Sequence, residues 1–460
     1  MSGLPLCTEN EEALERLSGV ADLFLLSNRD IVTPCDDSVV RAGVEGTSFV
    51  RRSRGYAPEA VMLPESAGAA KKPVALAFGP YLKNTACFLR DREAFLTQHV
   101  GSLSNRPTVE LLSRSVSHMS ALFELSPEVV ACDAHPDFPS TRLALEYADL
   151  HGIPCIPVHH HAAHVGVVAA ERGVVKPLLG LALDGVGMGA DRLPWGGELL
   201  LCGPASWARL SHLESMPMPG GDRAATEPWR MGVALMAMAG AGDFAEELFP
   251  GIASVSMLRK LLAGDPEKVA ILGLCTHQHD EATAAMRLEG AAVRGRDNLA
   301  CGTLDVEAGD RMILADGTLS LVPLVRRVVD ERLSGTSVEC LAALVENAVI
   351  GALADWIAFH ATKLVEEFGP GLLASDDNEN MLVALTGGTM NNAALSKGLV
   401  EALTSRGLAG ALPLHVPAGD GGLSLGEAWW ARSALAAGAT EYSPLDASAV
   451  LGRVQPQGES

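Results

Sequence analysis

The chain has few aromatics, 5% of its 460 residues, and few positive charges: 35 Lys and Arg stand against 56 Asp and Glu, a formal net charge of -21. So acidic a surface disfavours non-specific binding to nucleic acid or to an anionic membrane, while leaving room for a local basic pocket. No two of the nine cysteines (Cys7, Cys35, Cys87, Cys132, Cys155, Cys202, Cys275, Cys301 and Cys340) are close enough to form a CxxC element. Their odd number and wide spacing suit reduced thiols and a cytoplasmic setting. Met1–Arg16 is polar and acid-rich, unlike a signal peptide. No apolar run is expected to reach the length that crosses a bilayer. What is abundant is small and apolar: 48% hydrophobic residues and 47 glycines. At this length, that composition suits a Gly/Ala-rich α/β enzyme of roughly two to four domains.

Residues 1–65 read differently from the rest. Asn10–Leu17 has the pattern of a short helix and Ala21–Leu26 that of a strand, followed by Ser27-Asn28-Arg29. Cys35–Arg41 leads to a basic stretch, Arg51–Pro58, and residues 66–72 are small enough to act as a linker. Beyond the linker one pattern occurs twice. Val74–Phe78, a turn, and Thr85–Leu89 make one strand pair; Leu178–Leu183, a Gly-rich turn from Asp184 to Gly196, and Leu199–Cys202 make another. Further strands are expected at Leu382–Leu385 and Leu412–Val416, with helices over His160–Arg172 and Leu341–Phe368. Alternating strands and helices with two similar hairpin starts predict a duplicated α/β fold around a cleft. Residues 453–460 read as a polar tail.

The densest chemistry lies in His159-His160-His161-Ala162-Ala163-His164. His160 and His164 are four apart, so on a helix they share a face and two imidazoles can reach one metal ion. Taken alone, such a pair fits a polar helix face equally well, and His159 and His161 point elsewhere. Asp184 follows one apolar strand and Asp420 follows another, at the ends where α/β proteins bind ligands. Two His and two Asp suit a borderline divalent ion such as zinc or iron(II), although Asp-Gly is also ordinary turn chemistry. Three glycine loops join strands or open helices: Asp184–Gly189 with Gly185 and Gly187, Gly220-Gly221-Asp222, and Thr386-Gly387-Gly388 before a helix near Asn391. Each alone fits a plain turn; together they point to a nucleotide cleft.

Several longer segments carry a resemblance. Gly79-Pro80-Tyr81-Leu82-Lys83-Asn84-Thr85 is similar to a GGxLKNT segment, and Asp133–Arg142 to a D-x-H-P-x-Y-x-S-T-R segment, of the HypF-type carbamoyltransferases of hydrogenase maturation. The histidine cluster, Asp184–Gly197, Gly220–Arg230, Thr386–Asn392 and Asp420–Gly426 follow in that family's order, so that residues 73–452 resemble its transferase domain. The resemblance implies a duplicated actin/Hsp70/sugar-kinase-like (ribonuclease H-like) ATPase fold, close to the universal tRNA threonylcarbamoyl transferase. It implies metal ligands at His160, His164, Asp184 and Asp420, catalytic roles for Lys83 and Asn84, and nucleotide contacts at Gly185, Gly187, Gly220, Gly221, Asp222, Gly387, Gly388 and Asn392. The implied cofactors are a divalent metal, zinc or iron, and an adenine nucleotide, ATP or carbamoyl adenylate. The implied reaction moves a carbamoyl group from carbamoyl adenylate to the C-terminal cysteine of a HypE-like partner, on the way to the cyanide ligands of [NiFe] hydrogenase. Neither a membrane nor a specific nucleic acid is expected as a partner.

Residues 13–58 resemble only the tail of the YrdC-like adenylating domain of that family. The acylphosphatase domain, the paired CxxC sites and the front of the YrdC-like domain have no counterpart in this sequence. Near Gly264–Ala270 the family pattern S-S-x-G-R-L-F-D-A is replaced by Leu262-Ala263-Gly264-Asp265-Pro266-Glu267-Lys268. Three other readings stay open on the sequence: a phosphotransferase of the same fold, which needs no histidine pair; an O-carbamoyltransferase acting on a small-molecule hydroxyl; and a non-catalytic scaffold that binds nucleotide or HypE.

Overall fold

The computed structural model describes residues 7, 9–26, 28–29, 31–43, 46–65, 72–185, 187–221, 223–224, 227–264, 271–272, 284–296 and 312–452. Asp222, the linker residues 66–71, the divergent stretch 265–270 and the tail 453–460 therefore lie outside the described residues.

The chain opens with a helix, Asn10–Leu17, as its pattern predicts. An antiparallel hairpin, β1 (Val39–Gly43) and β2 (Gly46–Arg51), follows. Two six-stranded sheets then form the body. The first runs β3-β6-β5-β4-β7-β8, from β3 (Val61–Met62), β4 (Ala75–Ala77), β5 (Cys87–Arg90), β6 (Glu93–Leu96), β7 (Val129–Asp133) and β8 (Cys155–Val158). Strands β4, β5 and β6 make an antiparallel meander, and β7 and β8 add in parallel. The second sheet begins with β9 (Leu178–Ala182). A short ribbon, β10 (Gly187–Met188) with β11 (Pro194–Trp195), precedes β12 (Glu198–Cys202) and β13 (Ser206–His212). A pair, β14 (Met216–Pro217) and β15 (Ile271–Leu272), stands apart, and β16 (Met381–Thr386), β17 (Leu408–Ala411) and β18 (Ser443–Pro444) complete the order β17-β16-β9-β12-β13-β18. Here too an antiparallel meander, β9-β12-β13, is followed by two parallel strands, β16 and β17. The expected duplication is thus present in five strands of each sheet, while the sixth strands differ: β3 is antiparallel to β6 and β18 is parallel to β13.

Two helices lie between the sheets, the histidine helix His160–Glu171 and the helix Leu423–Ala436. One continuous core joins them to Ala75, Leu89 and Ile156 of the first sheet and to Leu178, Leu200 and Ala384 of the second. Their crossing is close enough that only glycine fits. A Cβ on Gly426 would stand 1.8 Å from the Ala163 carbonyl oxygen, and one on Gly166 2.8 Å from that of Gly426. The outer face of the first sheet is covered by Arg106–Leu122, capped by Asn105, and by Pro139–His151, which ends on a left-handed Gly152.

The outer face of the second sheet is covered by Val338–Phe368 and Ala393–Thr404. The first of these overturns one expectation. By length and composition alone it could cross a membrane, with a mean hydropathy of 1.6. In this fold its Leu353, Trp356, Ile357 and Leu364 are buried in the core of the second lobe. Two expected strands are also absent. Leu412–Val416 is irregular, and the strand lies just before it at Leu408–Ala411, because the N–H groups of Leu414, His415 and Val416 go to the Glu171 carboxylate instead of a ladder. Ala21–Leu26 is irregular, with no strand partner among the described residues, and Leu23 is 91% exposed. Six cysteines, Cys7, Cys35, Cys87, Cys132, Cys155 and Cys202, carry free thiols, but Cys340 is disulfide-bonded, so the expectation of reduced thiols fails there.

Candidate metal and nucleotide site

Four element ends meet at one point between the lobes. Strand β8 ends at Val158, and His159 then serves as N-cap residue of the histidine helix, which brings His160 and His164 onto the same side. Strand β7 ends in Asp133. Strand β9 ends two residues before Asp184, and a 3₁₀ turn, Asp420–Gly422, opens the helix Leu423–Ala436. His160, His164, Asp184 and Asp420 are all buried, and one ligand atom from each lies within 4.8 Å of the others. His160 Nε2 is 3.2 Å from Asp184 Oδ2; His164 Nε2 is 3.8 Å from Asp184 Oδ2 and 3.9 Å from Asp420 Oδ1. The fold brings together the four residues that the sequence pointed to. Asp420, expected at a strand end, instead stands in a helix-opening turn.

Asp133 organises the cluster from outside it. Its Oδ2 pairs with His160 Nδ1 at 2.6 Å, and its Oδ1 accepts the His135 N–H at 2.8 Å. With Nδ1 so engaged, His160 presents Nε2 to the centre. Both ring nitrogens of His164 are buried without a hydrogen-bond partner in the protein. An imidazole left that way costs about 1–3 kcal/mol, and a cation at the centre would satisfy it. Two imidazoles and two carboxylates are the donor set of a borderline divalent ion, so the residues fit the metal that the sequence implies.

The electrostatics agree. Burial works to lower the His160 pKa, yet the Asp133 and Asp184 carboxylates more than offset it and hold the value well above the ordinary range. Burial works to raise Asp184, but the His160 ring bonded to it and the His164 ring 3.8 Å away carry it well below the usual carboxylate range. Asp420 is raised by burial and then by the Asp184 charge beside it. Two carboxylates this close need a positive charge between them.

The glycine loops divide. Gly387 adopts φ +96°, and a Cβ on it would meet the Leu183 carbonyl oxygen at 2.3 Å. Its N–H donates to Ala418 O at 2.9 Å. The Thr386–Gly388 loop is thereby tied to the segments that lead into both Asp184 and Asp420, and a Cβ on Gly388 would stand 3.6 Å from Asp184 Oδ1. Gly185 and Gly187 line the same place: Gly185 O faces Gly196, and Gly187 lies against the His161 ring. Gly220 and Gly221, both with positive φ, form a turn beside Arg230. Both ends of the Asn392 side chain are engaged within the protein. Its Oδ1 caps Ala394 and Leu395, and its Nδ2 donates to Glu346 at 2.7 Å. Asn84 is committed only through its NH₂, which donates to Phe78 O at 2.8 Å and Pro80 O at 2.7 Å and braces the loop that carries Lys83, while its Oδ1 is buried without a hydrogen-bond partner. Lys83 has φ 47°, and its charge acts on Asp420.

Several neighbours of the cluster have no assigned role on sequence grounds. His159 and His161 are buried, at 5% and 0% exposure, and not solvated. His159 packs against Trp195 and Trp207, with centroids 5.2 and 4.4 Å away. Buried Glu427 accepts the Gly79 N–H at 3.0 Å, and Thr85 bonds Ser424 at 2.8 Å, so the Lys83 loop is stapled to the Asp420 helix. Asp133 was legible as part of a longer motif. Its place at the end of an apolar run, like that of Asp184, is the signal that could have placed it here.

Comparison with known proteins gives a consistent result. Residues 70–171 match the family model described as the HypF Kae1-like domain. Residues 180–263 and 268–427 match that described as the carbamoyltransferase Kae1-like domain, second subdomain. The chain is 39% identical over 447 residues to carbamoyltransferase HypF of Rhizobium leguminosarum bv. viciae, spanning 94% of this chain and 54% of that protein. It is 36% identical over 382 residues to a carbamoyltransferase HypF homolog of Cupriavidus necator, spanning 79% of this chain and 92% of that one. The fold superposes on full-length HypF in the phosphate- and nucleotide-bound form with a TM-score of 0.77, at 29% identity, covering 94% of this chain and 55% of that structure. Several of these relatives are thus about twice as long as the stretch they share with this chain. The family models, the relatives and the superposition on a HypF structure agree, and the chain belongs to the HypF carbamoyltransferase family.

Proposed function

We propose that this chain transfers a carbamoyl group from carbamoyl adenylate to the C-terminal cysteine thiol of a HypE-like protein, in a cytoplasmic pathway toward the cyanide ligands of [NiFe] hydrogenase. The observation that carries the reading is the buried cluster of His160, His164, Asp184 and Asp420 beside the Gly387-Gly388 loop, in a chain of this family. His160, His164, Asp184 and Asp420 would hold a zinc or iron(II) ion, which supplies Lewis acidity toward phosphate or carbonyl oxygen. Gly387 and Gly388 let backbone approach ribose or phosphate. Lys83, on a loop braced by Asn84, brings a positive charge to the same cleft. In the reaction the thiolate sulfur bonds the carbamoyl carbon, the carbon–oxygen bond to phosphate breaks, and AMP leaves with that electron pair. Holding the two reactants in one cleft makes the step effectively unimolecular.

The test supplies carbamoyl adenylate and a candidate HypE to the purified chain and looks for the thiocarboxamide by mass. Its appearance only with all three present supports the proposal. Carbamoylation of a small-molecule hydroxyl instead would shift the acceptor. Nucleotide binding with no transfer to any acceptor would leave a scaffold.

A further inference from the structure

We propose that Glu171 is a positioning residue for the metal cluster, fixing Asp420 relative to His164; this rests on the metal reading above. Glu171 is the last residue of the histidine helix, about two turns beyond His164. It is 6% exposed. Its Oε1 accepts the His415 N–H at 2.9 Å and the Val416 N–H at 3.1 Å, and its Oε2 accepts that of Leu414. A carboxylate holding three backbone donors in a buried place is a strong and directional anchor.

The segment so held runs directly into Asp420. The Val416 side chain and Pro417 carbonyl lie against Gly422, where a Cβ would meet them at 2.9 and 2.3 Å. Ala418 O accepts the Gly387 N–H at 2.9 Å. The backbone before Asp420 is therefore tied at two points. One tie, at Gly387, leads to β16; the other, at Glu171, leads to the helix that carries His160 and His164. Because the two histidines and Glu171 share one helix, the Glu171 side chain sets how far that helix stands from the Asp420 loop. The close crossing of Gly426 on Ala163 fixes the helix after Asp420 and leaves the approach to Asp420 to Glu171.

Zinc affinity, measured by chelator competition on the full chain, tests this. Glu171→Ala should weaken zinc about tenfold, the lower range for a residue that orients a ligand. Glu171→Gln keeps the volume but sets an NH₂ group against N–H donors, and should give an intermediate loss. In an Asp420→Ala background, Glu171→Ala should add nothing, since its effect passes through Asp420. Wild-type affinity in folded Glu171→Ala would overturn the inference, as would a loss that adds fully to that of Asp420→Ala. If Glu171→Ala does not fold, the same cycle with Glu171→Gln decides. If the wild-type chain binds neither zinc nor iron(II), the metal reading falls and takes this inference with it; binding by the wild type with no response to Glu171 sinks this inference alone.

Discussion

The two-lobed body and the segment before it use the same kinds of residue to different ends. In the body, apolar strands such as Leu178–Ala182 are buried on both faces and paired on both edges. Before it, Ala21–Leu26 is also largely apolar but stays irregular, with Leu23 and Leu25 exposed. A strand needs a neighbouring edge to take up its N–H and C=O groups, and among the described residues none is beside this one. Further along, the same segment is docked. The Ser53 hydroxyl accepts the His99 N–H at 3.3 Å, and Arg41 donates to Asn391 O beside the Gly387-Gly388 loop. The contrast shows that local pattern decides which segments are able to become strands, while the surrounding chain decides which do.

The sharpest way to break the comparison is to remove the centre of the body. His160→Ala with His164→Ala should abolish bound metal, read by elemental analysis; unchanged metal content would show the cluster has been misassigned. A graded version uses pH. With its value held well above the ordinary range, His160 keeps a proton that an incoming ion must displace. Zinc affinity should therefore rise with pH until that proton is lost and fall on acidification. A flat profile between pH 6 and 8 would count against His160 Nε2 as a ligand.

The next test probes the segment before the body. Making carbamoyl adenylate requires a framework that aims cationic donors at phosphate. Here Arg51 pairs with Asp36, Arg52 bonds the carbonyls of Tyr56 and Glu59, and Arg54 bonds that of Cys35. The 460-residue chain alone should show no carbamoyl-phosphate-dependent ATP–pyrophosphate exchange above background. Robust exchange would mean that this segment is a working adenylating site.

A smaller effect is expected at the glycine loop. Gly388→Val brings branched carbon toward Asp184 Oδ1, 3.6 Å from the first added atom, and into the space where backbone approaches nucleotide. Nucleotide affinity should fall about tenfold, roughly 1.4 kcal/mol, with the melting temperature little changed. Equal affinity would move the nucleotide away from this loop.

Most of the body was legible because its signals are redundant. Period, glycine punctuation and motif order all marked the first two strands of each meander, the histidine helix and the Asp184 loop, though not the third strands Glu93–Leu96 and Ser206–His212. What escaped had no local signal. Leu412–Val416 is apolar enough for a strand, but Glu171, more than two hundred residues earlier, takes its N–H groups. Asn84 and Asn392 resemble ligand contacts in sequence, and only three dimensions show the Asn84 NH₂ on Phe78 and Pro80 with its Oδ1 unpartnered, and the Asn392 side chain on Glu346 and its own helix start. Burial of His159 by Trp195 and Trp207 joins three elements, which no window of sequence spans.

The smallest expected effect sharpens the comparison most. Leu25 is fully exposed and has no strand partner, so Leu25→Lys removes no packing in this chain. Its stability cost should lie within about 0.5 kcal/mol, as for surface substitutions elsewhere. Leu181→Ala, in the middle of β9 at 0% exposure, should cost about 2–5 kcal/mol through lost burial and the cavity left behind. Denaturant titration of the two variants beside the wild type reads both values. If Leu25→Lys proves as costly as Leu181→Ala, the segment before the body is packed in solution and the contrast drawn here is wrong. If Leu25→Lys is silent alone but weakens the effect of an added YrdC-like adenylating domain, then the exposed leucines mark the edge on which that domain completes its sheet.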